Sequence, residues 1–117
     1  MAPMVTAQDV RTMALALPRA YEALVRDRVK FRVGQYVFVT LSRDETVMGF
    51  GYRKQERAAL VEAEPAKFHL PEAASMRYNW LCVWLSAIDH DELRELVVEA
   101  WRFVVPKRTF QDYVDTH

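Results

Sequence analysis

The chain has 117 residues, 51% hydrophobic and 27% charged, enough for one domain with its own core and too apolar for a disordered segment. Its 16 basic and 16 acidic side chains cancel, which excludes the uniformly basic surface of a dedicated nucleic-acid binder. Cys82 is the single cysteine, so no disulfide can form within the chain, and a reducing compartment is expected.

The longest apolar run, Trp80 to Leu85, falls far short of the ~20 residues of a spanning helix. Met1 to Thr6 lacks the basic-then-apolar order of a secretory signal. A cytoplasmic protein without a membrane partner is expected. The charges are unevenly spread: Arg19 to Arg57 holds nine basic and five acidic residues, Ala58 to Glu99 three and eight. Such asymmetry steers a charged partner when the fold gathers the excess on one face.

In chain order, Thr6 and Asp9 form a short capping box ahead of Val10, Met13, Ala14 and Leu17, which share one helical face. Pro18 stops that helix. Tyr21 to Val25 reads as a lead-in, a short edge strand. The stretch Val29 to Tyr52 then carries three β-rich runs separated by turn chemistry. Gly34-Gln35 suits a two-residue type II′ hairpin, in which glycine takes the positive φ, and Ser42 to Glu45 makes a longer polar turn.

Arg28 to Val33 alternates strictly. Val29, Phe31 and Val33 take one face, and Arg28, Lys30 and Arg32 the other, with Arg26 extending the basic row. Tyr36 to Leu41 is apolar on both faces and reads as a central strand. Met48, Phe50 and Tyr52 share a face, and the slot left opposite by Gly49 and Gly51 invites cover from Tyr36 or Phe38.

Lys54 to Glu64 predicts a second helix closed by Pro65. Phe68 to Leu70 is a short strand or turn, and Pro71 to Ser75 a loop. Arg77 to Leu85 is the strongest single strand signal, with Leu81, Val83 and Leu85 alternating against Tyr78, Trp80, Cys82 and Trp84. Asp89 and Glu92 open the last helix, whose stripe is Leu93, Leu96, Val97, Ala100 and Val104, and Pro106 ends it. Phe110, Tyr113 and Val114 give the tail the means to dock. The whole predicts a single α+β domain over residues 1–117, two-layered, an antiparallel β-sheet meander with helices packed on one face.

The segments ALALPRAYE (14–22), VKFRVGQYVFVTL (29–41), RAALVEAEPAKFH (57–69) and WLSAIDHDELRELVVEAWRFVVPKR (84–108) together resemble the MmcQ/YjbR-like family of small bacterial proteins. The resemblance implies a frataxin-like (CyaY-like) fold, also described as a double wing, and with it a role in DNA binding argued from fold analogy. It implies no catalytic residues. Many relatives carry a histidine-containing segment before the last strand, where this chain has EAASMRYNW.

Two features carry functional chemistry. The first is the basic row Arg26, Arg28, Lys30 and Arg32, extended by Arg53, Lys54 and Arg57 if the hairpins bring them together. Alternate strand residues stand ~7 Å apart, close to two phosphate steps of ~3.4 Å; the same row also serves as a solvated face that discourages edge pairing. The second is Tyr78, Trp80 and Trp84 on one strand face, either core fillers or a platform for bases or a protein partner. Cys82 lies in a strand between tryptophans and reads as an inert thiol. His69 and His90 have no partner at ligand spacing, and neither a phosphate loop nor a nucleophile elbow is present. The expectation is a non-catalytic binding module without metal or cofactor, engaging nucleic acid through the basic meander. Its alternative is a protein-interaction domain using the aromatic face or the carboxy-terminal tail.

Overall fold

A computed structural model describes residues 5–117; residues 1–4, read above for a leader, lie outside the described residues. The first helix, α1 (Ala7–Leu15), is opened by a complete capping box. The Thr6 amide donates to the Asp9 carboxylate (2.8 Å), and the Asp9 amide donates to the Thr6 hydroxyl (3.2 Å). Those bonds hold the Asp9 carboxyl below its ordinary pKa, the Thr6 amide contributing most.

Six strands follow: β1 (Tyr21–Val25), β2 (Arg28–Val33), β3 (Tyr36–Leu41), β4 (Val47–Gly51), β5 (Phe68–His69) and β6 (Trp80–Trp84). They form one antiparallel sheet in the order β1-β2-β3-β4-β6-β5, so the meander ends at β4 and β6 inserts between it and β5. Gly34 has φ +60° and Gln35 a negative φ, as the expected II′ turn requires. The β1–β2 turn differs: Arg26 and Asp27 take φ +52° and +66° between the paired Val25 and Arg28, a type I′ turn without its usual glycine. Arg26 is therefore a turn residue and leaves the strand alternation.

Burial follows the pleat. Phe31, Val39, Phe50 and Leu81 stand opposite one another in successive strands and are fully buried. Leu41, Met48, Val83 and Phe68 make a second buried row. The opposite face runs Lys30, Thr40, Gly49, Cys82, His69. A bulge in β3 puts Phe38 between Val37 and Val39, the partners of Arg32 and Phe31, and lets Phe38 and Val39 both be buried.

Two further helices, α2 (Lys54–Ala63) and α3 (His90–Arg102), and a last one, α4 (Lys107–Thr116), complete the fold. Asp89 caps α3 by accepting from the Glu92 amide at 2.8 Å. The helix crosses β3 and β4, and α1 packs on it. Its buried stripe is Leu93, Val97, Ala100 and Trp101; Leu96 is only half-buried and Val104 lies beyond the helix end. Trp101 joins the stripe although the sequence spacing did not include it. It is fully buried, its N–H donates to the Pro18 carbonyl at 3.0 Å, and Phe110 and Tyr113 of α4 pack on its ring at 6.2 and 5.2 Å. The tail docks as a helix.

Leu93→Ala should destabilise the protein by about 2–5 kcal/mol, the range for a fully buried leucine, and Leu96→Ala by less than half as much. Urea melts giving equal losses would move the contact face of α3.

Candidate functional site

A groove of about 750 Å³ lies between the sheet and the end of α3, with Thr40, Ala100, Phe103 and Val104 in its lining. Arg28 and Lys30 of β2 and Tyr36 at the head of β3 line it. Tyr78, Asn79 and Trp80 line it from the segment entering β6. A smaller recess of about 240 Å³ adjoins it, lined among others by Arg28, Glu72 and Cys82. Trp80 borders both.

Trp80 lies where it does because Gly49 has no side chain. A Cβ at Gly49 would fall 2.6 Å from the Trp80 indole nitrogen and 2.7 Å from the Thr40 hydroxyl. The slot is thus filled by Trp80, not by Tyr36 or Phe38. At Gly51 the space is bordered instead by Phe103 and Ala100.

Arg57 fixes the rest of that wall. It is 6% exposed. Its Nη1 donates to the carbonyls of Tyr78 (2.9 Å) and Trp80 (3.1 Å), and its Nη2 to that of Met76 (2.5 Å). These bonds hold residues 76–79 as irregular backbone, so β6 begins at Trp80, not Arg77. A second clamp joins the same segment to α2 and the end of β4: the Lys54 amide donates to the Asn79 side chain at 3.1 Å, and the Tyr52 amide to the Asn79 carbonyl at 3.1 Å.

The expected site residues therefore separate. Arg28 and Lys30 share the groove, Arg28 exposed and Lys30 half-buried. Arg32 is half-buried and its Nε is enclosed without a hydrogen-bond partner among the described residues. Arg26 projects from the I′ turn. Arg53 stands at the start of α2 without a side-chain cap bond and lines another concavity with Glu99, Arg102 and Lys107. Lys54 is exposed and donates to the Arg77 carbonyl at 3.3 Å. Arg57 was expected in the basic patch; its buried guanidinium is engaged by carbonyls, which removes it from any ligand surface.

Among the aromatics, Tyr78 precedes the strand yet lines the groove with Trp80, and it is 53% exposed. Trp84 lies at the far end of β6, its ring 4.6 Å from that of His69. Burial lowers the pKa of His69. Tyr36, 60% exposed, is a groove residue that sequence reading treated as a strand residue and a cover for the glycine slot; its place beside the hairpin turn was the available signal. Cys82 is sheltered, and burial pushes its thiol up to about 11, against a smaller opposing pull from Arg28. Among the described residues no three metal-ligating side chains cluster, and no helix is long and apolar enough to cross a membrane.

The YjbR family profile matches residues 15–103. The chain belongs to the YjbR family. The matched segment holds the whole sheet, all of α3 and the groove lining except Val104, whereas α4 lies after it. Among solved structures, the chain is similar to the Deinococcus radiodurans protein DR2400, described by the domain DUF419. The two are 18% identical with a TM-score of 0.76, over 95% of this chain and 89% of that one, a likeness of fold. No curated protein matches the chain.

In this YjbR-family domain, Gly49→Ala should cost about 1–3 kcal/mol, the usual price of overpacking, and shift the emission of Trp80 as the ring is displaced. An unchanged melt and spectrum would mean that Trp80 does not rest on Gly49. Alkylation of Cys82 at pH 8 should run on the order of a hundredfold slower than for a peptide thiol, because so little thiolate is present. A peptide-like rate in the folded protein would contradict the sheltered position.

Proposed function

We propose that this YjbR-family domain is a non-catalytic binding module that takes single-stranded nucleic acid in the groove between β2, the segment entering β6 and the end of α3. One observation carries the reading: Arg28 and Lys30 line the same groove as Tyr36, Tyr78 and Trp80. Cations that track phosphates, next to aromatic faces on which bases stack, are the two components of sequence-tolerant single-strand binding. Alternate side chains on β2 stand ~7 Å apart, suited to successive phosphates of an extended strand. A duplex would present phosphates to the cations but keep its bases from the aromatics. The frataxin-like, double-wing architecture implied by the MmcQ/YjbR-like resemblance, and action in the cytoplasm, belong to this same reading.

The reading is binding because the groove sets its cations and rings beside a single carboxylate, Glu72, and a hydroxyl, Ser75, with no base placed to activate it; the nearby thiol is held protonated by burial. A second reading, protein interaction, has one observation in its favour: Trp84 is 41% exposed and lies outside the groove.

Two phosphate contacts on a single strand give a slope of log K against log salt of about −1.4. Fluorescence anisotropy at two salt concentrations should find dissociation constants on the order of 10⁻⁴–10⁻⁶ M, tighter for single strands than for duplex. Arg28→Glu and Lys30→Glu should each weaken binding to every oligonucleotide with little change in thermal stability, and Arg53→Glu should leave it intact. No binding at low salt, or binding indifferent to both reversals, would remove the groove from the functional account.

A further inference from the structure

The edge strand β1 has an unused hydrogen-bonding side whose register is set by its turn. In a two-residue I′ hairpin the residues flanking the loop form a hydrogen-bonded pair. Here those residues are Val25 and Arg28. Hydrogen-bonded and non-hydrogen-bonded pairs alternate along an antiparallel ladder, so Tyr21, Ala23 and Val25 bond inward to β2. The N–H and C=O groups of Glu22 and Leu24 point away from the sheet.

The side chains there offer little obstruction. Leu24 is 71% exposed, and β1 contains no lysine, proline or bulge, the usual devices that protect an edge. Glu22 is the one charge in the strand, and Arg11 of α1 holds it at 2.8 Å.

We propose that β1 pairs antiparallel with β1 of a second copy, about a two-fold axis through Ala23, joining the two sheets edge to edge. This register sets Glu22 and Leu24 opposite the partner's Leu24 and Glu22, so all the outward groups meet in about four main-chain hydrogen bonds. Centring on Glu22 would set like charges opposite each other, and centring on Leu24 would run Glu22 into the partner's turn. The Ala23 register also brings Arg19 level with the partner's Asp27, and Asp27 with the partner's Arg19, a complementary pair at each end. The two Leu24 side chains become diagonal neighbours within contact reach. Because paired residues share a face, the Arg28–Lys30 faces of both copies open on the same side of the joined sheet. Their β2 strands lie three strand spacings, ~14 Å, apart.

The test is sedimentation equilibrium of the full chain from low micromolar to several hundred micromolar, with disulfide trapping beside it. A reversible dimer is expected. Leu24→Glu, which sets carboxylates opposite one another, should weaken dimerisation at least tenfold. Leu24→Pro should do the same, because it removes only an outward N–H, and circular dichroism should report an intact fold for both. In a Cys82→Ser background, Ala23→Cys should oxidise to a covalent dimer, since directly opposed non-hydrogen-bonded residues meet the Cα spacing of a disulfide. Tyr21→Cys should trap poorly by comparison. A chain monomeric at every concentration, a dimer indifferent to both Leu24 variants, or equal trapping at positions 21 and 23 would each overturn the proposal. Oligonucleotide binding by the monomeric variants reads out separately, so neither result decides the other.

Discussion

The buried guanidinium of Arg57 is the interaction on which the candidate site depends. Three carbonyls of one short segment converge on it, and hydrogen bonds to a charged donor are stronger than neutral ones. Backbone that leaves regular structure must find partners elsewhere when it is shielded from water. Arg57 supplies them from α2 and so fixes where β6 begins and where Tyr78 and Trp80 stand. Lysine, with a compact ammonium and no planar fork, could not span the same three acceptors.

The sheet supplies the other half of the site. One face is closed by the rows through Phe31 and Leu41 and by α3 across β3 and β4. The opposite face is interrupted by Gly49, whose missing side chain lets the Trp80 indole lie against Thr40 and the strand itself. The ring is thereby a wall of the groove and not a core filler. Arg28 and Lys30 of the basic row and Tyr78 and Trp80 of the aromatic set, separate features in the sequence, line a single concave surface because β2, β3, β4 and β6 are neighbours in that order.

Much of the α+β fold was legible in the residues. The α1 capping box, the Asp89 cap of α3, the alternation of Arg28 to Val33 and the Gly34 turn are local signals, and each gave its element. What escaped was set by distant contacts. Arg57 sits in a polar helix sequence, and nothing near it announces three carbonyls some twenty residues onward. Tyr78 alternated with Trp80 on paper, but the clamp on 76–79 outweighed strand propensity. Arg26 followed the parity of the basic row, yet a two-residue turn needed that position and forced it to positive φ. Trp101 was passed over in the stripe of α3 because its partners, Pro18, Phe110 and Tyr113, come from both ends of the chain.

Hydrogen exchange on the Arg57→Met variant tests the central role of that side chain most directly. With the clamp gone and the apolar stem retained, amides of residues 76–79 should exchange at least tenfold faster, while those of β2 and β3 keep their protection. Unchanged exchange at 76–79, or an equal acceleration across the whole sheet, would contradict a local clamp that shapes the groove.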